Sequence, residues 1–127
     1  MEVKLKLEEV LKLNNTLKSI IDDSRTKINV LLKFRLLGIM KALEPHISSF
    51  EIIRNEKIVE YGKENESGSF SIANNDTASL EKFKNDLEQV LTSEVTTNIE
   101  MLSVNEVFDS GLRSDYLMGL FPIIKEQ

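Results

Sequence analysis

One pattern governs what this chain can fold into: a nearly uninterrupted helical periodicity from about Thr26 to Tyr61. Ile28, Leu32, Leu36, Ile39, Leu43, Ile47, Phe50 and Ile53 recur at helical spacing, which marks one apolar face on an α-helix. Within this stretch a single proline and a single histidine stand side by side, at Pro45 and His46. Proline has no N–H and its ring clashes with the preceding turn. Pro45 therefore either kinks a continuous rod or splits it, with Glu44 as the cap and Pro45 as the first residue of a new helix. The apolar phase carries across from Leu43 to Ile47 and Phe50, which favours the kinked rod.

The flanking segments change period. Glu2-Val3-Lys4-Leu5-Lys6 alternates and reads as a short strand. From Leu7 the spacing of Val10, Leu11, Leu13, Leu17, Ile20 and Ile21 predicts an amphipathic helix, with Glu8 and Glu9 in its favourable first turn. Asp22 to Arg25 is a polar connector, and Ser24 or Thr26 is placed to cap the long helix. Gly62 is placed to end it, and Lys63 to Gly68 forms a turn. Ser69 to Ala73 alternates as a second strand. Asn74-Asn75-Asp76-Thr77 is a loop ending in a cap. The third helix carries Leu80, Phe83, Leu87, Val90 and Leu91 on one face, with Glu81–Lys84 and Lys84–Glu88 at pairing distance. Glu94 to Met101 is rich in β-branched residues and reads as a third strand. Ser114-Asp115 can cap a last helix, Tyr116 to Leu120, after which Ile123 and Ile124 pack the C-terminus down. The expected class is α+β and predominantly helical: a long kinked helix packed with two further helices and a small three-stranded sheet, in the order β-α-α-β-α-β-α.

A length of 127 residues with 41% hydrophobic and 29% charged residues matches one globular domain spanning 1–127. A chain this long buries roughly two-thirds of its unfolded surface and needs no disulfide or metal staple. It contains no cysteine, so disulfides, thiolate metal sites and cysteine nucleophiles are excluded. Met1 to Leu7 mixes charged and apolar residues, unlike a signal peptide. No apolar run approaches the ~18 residues of a membrane span. Without a secretion signal, the triplets at Asn14, Asn65 and Asn75 read as chance matches to the glycosylation pattern. The net charge of −5 argues against a broad nucleic-acid face, because such affinity comes from cations neutralising phosphates. Lys4, Lys6, Lys12, Lys18, Arg25, Lys27, Lys33, Arg35 and Lys41 make the first third locally basic, but Glu2, Glu8, Glu9, Asp22 and Asp23 are interspersed. This reads as a mixed, solvated surface.

No catalytic, cofactor or metal constellation emerges. His46 is the only imidazole, and a zinc site around it would have to be completed with carboxylates. Asp22–Asp23 and Glu8–Glu9 are adjacent pairs, whereas paired-carboxylate catalysis needs groups opposed across a cleft. Lys63 to Gly68 invites a calcium-loop reading that fails: with Gly68 at position six, Lys63 and Asn74 occupy places that need carboxylates. Gly38, Gly62, Gly68, Gly111 and Gly119 form no phosphate loop. Ser48, Ser49, Ser67, Ser69 and Ser71 have no nucleophile-elbow context. Phe34, Phe50, Phe70 and Phe83 lie on or near apolar faces and read as core rather than base-stacking residues. The expectation is a non-enzymatic protein without cofactor.

What remains is the long helix. Leu31, Phe34 and Leu37 lie off its main stripe, and Val30 and Met40 widen the apolar arc. A helix apolar over so much of its circumference is either sandwiched inside its own domain or shared with another subunit. Gly38 leaves room for close helix approach, and Arg35 flanks the region. The candidate partner interface is therefore Leu31, Phe34, Arg35, Leu37, Gly38 and Met40.

These features resemble a family of small bacteriophage proteins of unknown function and similar length. Those proteins start with a Lys-Leu-rich strand running into a helix, as in Val3-Lys4-Leu5-Lys6-Leu7-Glu8-Glu9-Val10. Their long helix ends in the manner of Phe50-Glu51-Ile52-Ile53-Arg54-Asn55-Glu56 and Tyr61-Gly62. A polar turn, a helix like Leu80 to Leu91, and a stretch like Glu94-Val95-Thr96-Thr97-Asn98-Ile99 follow. The resemblance implies a phage or prophage origin and brings no catalytic residues with it. The Asn- and Lys-rich, Trp-free composition agrees with an AT-rich phage genome. The expected function is a phage accessory protein that binds a host or phage protein through the long helix, as a homodimer or higher homo-oligomer, in the host bacterial cytoplasm or the virion. The alternatives are a virion component or assembly chaperone and, from the basic first third, a nucleic-acid accessory protein. No membrane association is expected.

Overall fold

In the computed structural model, which describes residues 2–23, 27–108, 111–112 and 114–125, the predominantly helical α+β class is the observed one. Strand β1 (Glu2–Lys6) leads directly into helix α1 (Leu7–Asp22). The junction is closed from both sides. The Lys6 backbone N–H donates to Glu9 Oε1 at 3.0 Å, and the Leu7 N–H donates to the Ser93 carbonyl at 2.9 Å. Leu7, Val10, Leu13, Leu17 and Ile20 are the buried residues of α1, so its apolar face is the one its periodicity predicts.

Helix α2 spans Val30–Tyr61 without interruption. It starts later than the periodicity indicates. Asn29 supplies the cap, its side chain accepting from the Leu31 N–H at 2.8 Å, which satisfies one of the orphan donors of the first turn. The proposed caps Ser24 and Thr26 lie outside the described residues. Pro45 sits inside the helix rather than at a break. The missing N–H leaves the Lys41 carbonyl without its helical donor. Lys41 and Pro45 are both exposed, so water can take that place at small cost. The Ser49 hydroxyl donates to the Pro45 carbonyl at 2.9 Å.

Gly62 ends α2, its N–H bonded to the Ile58 carbonyl at 2.8 Å. A Cβ there would stand 2.5 Å from Ile58 O and 2.7 Å from Ser71 O, so the backbone crossing at this point admits only glycine. The tight pair β2 (Lys63–Glu64) and β3 (Phe70–Ser71) follows. Its turn is organised by the Asn65 side chain, which accepts from the backbone N–H groups of Ser67 and Ser69, while Gly68 adopts a φ of 85°. Helix α3 (Thr77–Leu91) is capped by Asp76, which accepts from the Ser79 N–H at 3.2 Å.

The C-terminal region is more broken than its sequence indicates. Strand β4 (Glu94–Asn98) pairs antiparallel with β1, Leu5 opposite Val95 and Lys6 opposite Glu94. Then come β5 (Leu102–Ser103), α4 (Val104–Phe108), a 3-10 turn at Ser114–Tyr116, α5 (Leu117–Leu120), a second 3-10 turn at Phe121–Ile123 and β6 (Ile124–Lys125). Strands β5 and β6 pair in parallel. Ser103 and Glu106 form a reciprocal cap at the start of α4: Glu106 N–H to Ser103 Oγ at 3.1 Å, and Ser103 N–H to Glu106 Oε2 at 3.3 Å.

Among the described residues, the expected three-stranded sheet is instead three separate two-stranded pairs. The geometry of α2 explains this. Ile39 packs in the core beside Ile99, whereas Lys63 lies beyond the far end of the helix, roughly 36 Å away at 1.5 Å per residue. The β2–β3 pair cannot reach β1–β4.

The core is correspondingly asymmetric. It is built from α1, β1, the first half of α2, Ile99, Leu102, Val107, Leu120 and Ile123. Leu32, Leu36, Ile39 and Leu43 are the buried residues of α2, and α3 has none. Beyond Leu43, α2 pairs with α3 as a half-buried arm.

Candidate protein interface

Helix α2 carries two apolar stripes on opposite sides. Its buried residues Leu32, Leu36, Ile39 and Leu43 cluster around one direction at about 100° per residue. Val30 (82% exposed), Phe34 (74%), Leu37 (45%), Ile52 (60%) and Val59 (51%) fall within an arc of about 60° nearly opposite. Leu31, 57% exposed, lies at the margin of this second stripe. Large apolar side chains are normally exposed singly on a protein surface, and a row of them along one helix marks a contact surface. Between the two apolar ends, the middle of the stripe is Lys41, Pro45 and Ser48, all exposed.

The candidate residues read from the sequence divide in this frame. Leu31, Phe34 and Leu37 are left uncovered by the chain's own helices. A Cβ added at Gly38 would meet nothing within 4 Å, and Gly38 lines an open cleft with Phe34, Asn98 and Glu100. Met40 is different: it is partly buried and packs against the core, because it lies on the helix side shared with Leu36 and Leu43. Ile52 and Val59 were not singled out from the sequence. The signal was present as apolar residues 15 and 22 positions beyond Leu37, in phase with it, but it was hidden by the stronger buried stripe.

Arg35 borders the stripe and is held in place by its own chain. Its Nη1 lies 2.7 Å from Glu106 Oε1 and 2.9 Å from Oε2, and Nη2 lies 3.9 Å from Glu100. Glu106 thus caps α4 and anchors α4 to α2 with one carboxylate. Beside this pair, Asn29, Leu31, Arg35, Ser103 and Lys125 line an open cleft of about 570 Å³.

The far end of α2 is tied to α3 by a polar cluster. The Tyr61 hydroxyl donates to Asp86 Oδ2 at 2.5 Å. Lys57 Nζ lies 2.8 Å from Glu60 and 3.5 Å from Asp86, and 5.8 Å from the Tyr61 ring centroid. The hydrogen bond from Tyr61 holds the Asp86 carboxyl below its ordinary range, and the same bond, helped by burial, raises the Tyr61 hydroxyl. Bonding to Glu60 raises Lys57.

Chemical groups elsewhere are dispersed. Among the described residues, no three His, Asp or Glu side chains gather where they could hold a metal ion. His46 is partly buried on α2. Asp23, expected within a mixed, solvated surface, is partly buried and accepts the Tyr116 hydroxyl at 2.8 Å, joining the end of α1 to the C-terminal region. Among the described residues, no helix is long and apolar enough to cross a membrane. Compared with known proteins, the chain matches no family model, no curated protein and no solved structure.

Proposed function

We propose that this protein is a non-enzymatic bacteriophage accessory protein that works by binding another protein, with α2 as the binding element. The observation that carries this reading is the uncovered face of Val30, Leu31, Phe34 and Leu37 directly behind the part of α2 that anchors the core. An apolar face on a rigid, buried-backed helix is the geometry of helix-packing recognition. Its backbone is preordered by the core, so docking there costs little further conformational entropy. The phage reading is supported by the resemblance carried by Val3 to Val10, Phe50 to Glu56, Tyr61-Gly62, Leu80 to Leu91 and Glu94 to Ile99, and the location that goes with it is the infected bacterial cytoplasm or the virion.

The test is a tagged chain expressed during infection, with co-purifying proteins identified by mass spectrometry. Replacing Leu31 and Phe34 together by alanine should abolish the association while the helical circular-dichroism signal is retained. A chain that stays monomeric by light scattering, and that captures no protein sensitive to this replacement, overturns the reading. Purified particles separate a regulatory binder from a virion component: the latter is present at fixed stoichiometry, the former is absent.

A further inference from the structure

We infer that the exposed stripe of α2 is the seam of an antiparallel homodimer, in which α2 of one molecule lies along α2 of a second copy about a two-fold axis passing between Glu44 and Pro45. This rests on reading α2 as the binding element and names its first partner.

Three properties of the stripe point to a second copy of this chain. The first is its near-palindromic spacing. An antiparallel pairing centred between residues 44 and 45 sets Val30 opposite Val59 of the second copy, Leu37 opposite Ile52, and Lys41 opposite Ser48. Each of these six residues is exposed in the single chain, and each lies within the same narrow arc of the helix. Phe34 then falls opposite Asn55, between Ile52 and Val59 of the second copy. Together with Glu56, these three make a four-residue hole of the kind that receives a knob in helix–helix packing. The symmetry of a two-fold interface requires such self-matching, because the same patch must serve both molecules.

The second property is charge. From Val30 to Leu43 the helix carries Lys33, Arg35 and Lys41 and no acidic residue. From Glu44 to Tyr61 it carries Glu44, Glu51, Glu56 and Glu60 against Arg54 and Lys57. Arg35 is already paired with Glu106, and Lys57 with Glu60 and Asp86, which leaves Lys33 and Lys41 in the first half and Glu44, Glu51 and Glu56 against Arg54 in the second. An antiparallel partner sets the positive half of each helix against the negative half of the other, and Lys41 comes within one turn of Glu44 and Glu51 of the second copy. A parallel partner would set like against like, which costs affinity and suppresses that register.

The third property is the centre of the seam. Pro45 and Ser48 are small or compact, and Gly38 has open space where a Cβ would be. At the axis itself the stripe presents Pro45 and Ser48, with Lys41 the one long side chain beside them. The arm formed by the second half of α2 with α3 has no fully buried residue, and this pairing would cover its outer edge with the core-backed half of the second copy.

The absence of native cysteine makes the register directly readable. Two single variants, Leu37→Cys and Ile52→Cys, are prepared separately, both at exposed positions, and then mixed under mild oxidation. The mixture should yield a disulfide-linked dimer containing one of each, while either variant alone should cross-link far less, since its two copies sit on opposite sides of the axis. In sedimentation, Ile52→Asp should convert dimer to monomer as fully as Phe34→Asp does. Efficient cross-linking of Leu37→Cys with itself would establish a parallel pairing and overturn the inference. So would a wild-type monomer at high micromolar concentration, or a dimer indifferent to Ile52→Asp. A dimer lost with Leu31 and Phe34 but indifferent to Ile52 would sink this register while leaving α2 as the binding element. A monomer whose captured partner is lost with Leu31 and Phe34 would do the same.

Discussion

The Tyr61 hydroxyl donates a 2.5 Å hydrogen bond to the Asp86 carboxylate, and with Lys57 this contact holds α3 against the last turn of α2. The arm has no fully buried side chain in α3, so polar contacts at its tip carry more of its order than they would in the core. Tyr61→Phe should leave the core intact and loosen the arm. Native-state hydrogen exchange should show amides of α3 opening faster, with amides of α1 and of Val30–Leu43 unchanged. Uniform acceleration throughout the chain would count against a separable arm.

The same cluster predicts a pH window for the arm. Asp86 has its pKa lowered by the Tyr61 bond, so its contribution is present above the unfolded carboxylate value and is lost as pH falls through the lower folded value. Tyr61 and Lys57 have theirs raised. Their contributions are complete below the unfolded values of about 10 and disappear as pH rises through the folded ones. Protection of α3 amides should therefore be flat through neutral pH and fall at both extremes. In Tyr61→Phe the alkaline loss should be reduced, since only Lys57 is left to titrate there.

The two stripes of α2 should separate cleanly in mutational stability. Leu36 is fully buried, and Leu36→Ala should destabilise the chain by about 3 kcal/mol through lost burial and a cavity. Phe34→Ala, two residues away, should change monomer stability by no more than about 0.5 kcal/mol. Urea unfolding at high dilution measures both. A large loss for Phe34→Ala under monomeric conditions would mean that the chain's own residues cover that face.

Gly62→Ala should destabilise by about 2 kcal/mol, because the added methyl meets the backbone oxygens of Ile58 and Ser71 rather than a yielding side chain. Gly38→Ala, with open space around it, should instead stabilise the isolated helix by about 1 kcal/mol. Thermal unfolding of the two variants should shift in opposite directions.

Arg35 and Glu106 link α2 to α4 across 71 positions of sequence. A double-mutant cycle with Arg35→Met and Glu106→Gln should give a coupling of about 1 kcal/mol, since both groups are only partly exposed and the contact is short. Glu106→Gln keeps an acceptor for the Ser103 N–H, so the cap is preserved and the coupling reports the pairing with Arg35.

Much of this architecture is legible in local pattern. The strand-to-helix switch at Leu7, the continuity of α2 across Pro45, the end at Gly62 and the Asp76 cap all follow from periodicity and from what each residue's own backbone permits. Ser103-x-x-Glu106 also has the form of a capping box, but its surroundings lack the regular apolar period that would mark a helix there. The later start of α2 was not legible, since Asn29, Thr26 and Ser24 are all acceptable caps by residue type.

The burial of particular stripes belongs to a different level. Periodicity marks that a residue is apolar and in phase with its neighbours; it carries no information about which side of a helix the rest of the chain will cover. Leu36 and Phe34 are alike in that respect, yet one is sealed in the core and the other faces outward. Packing of α1 and β4 against α2, with the core closing over Leu32, Leu36, Ile39 and Leu43, settles that difference. The roughly 48 Å length of α2 likewise keeps β2–β3 away from β1–β4, so that strands compatible in sequence never meet. The residues made an apolar rod inevitable, and only the placement of its neighbours left one of its faces open.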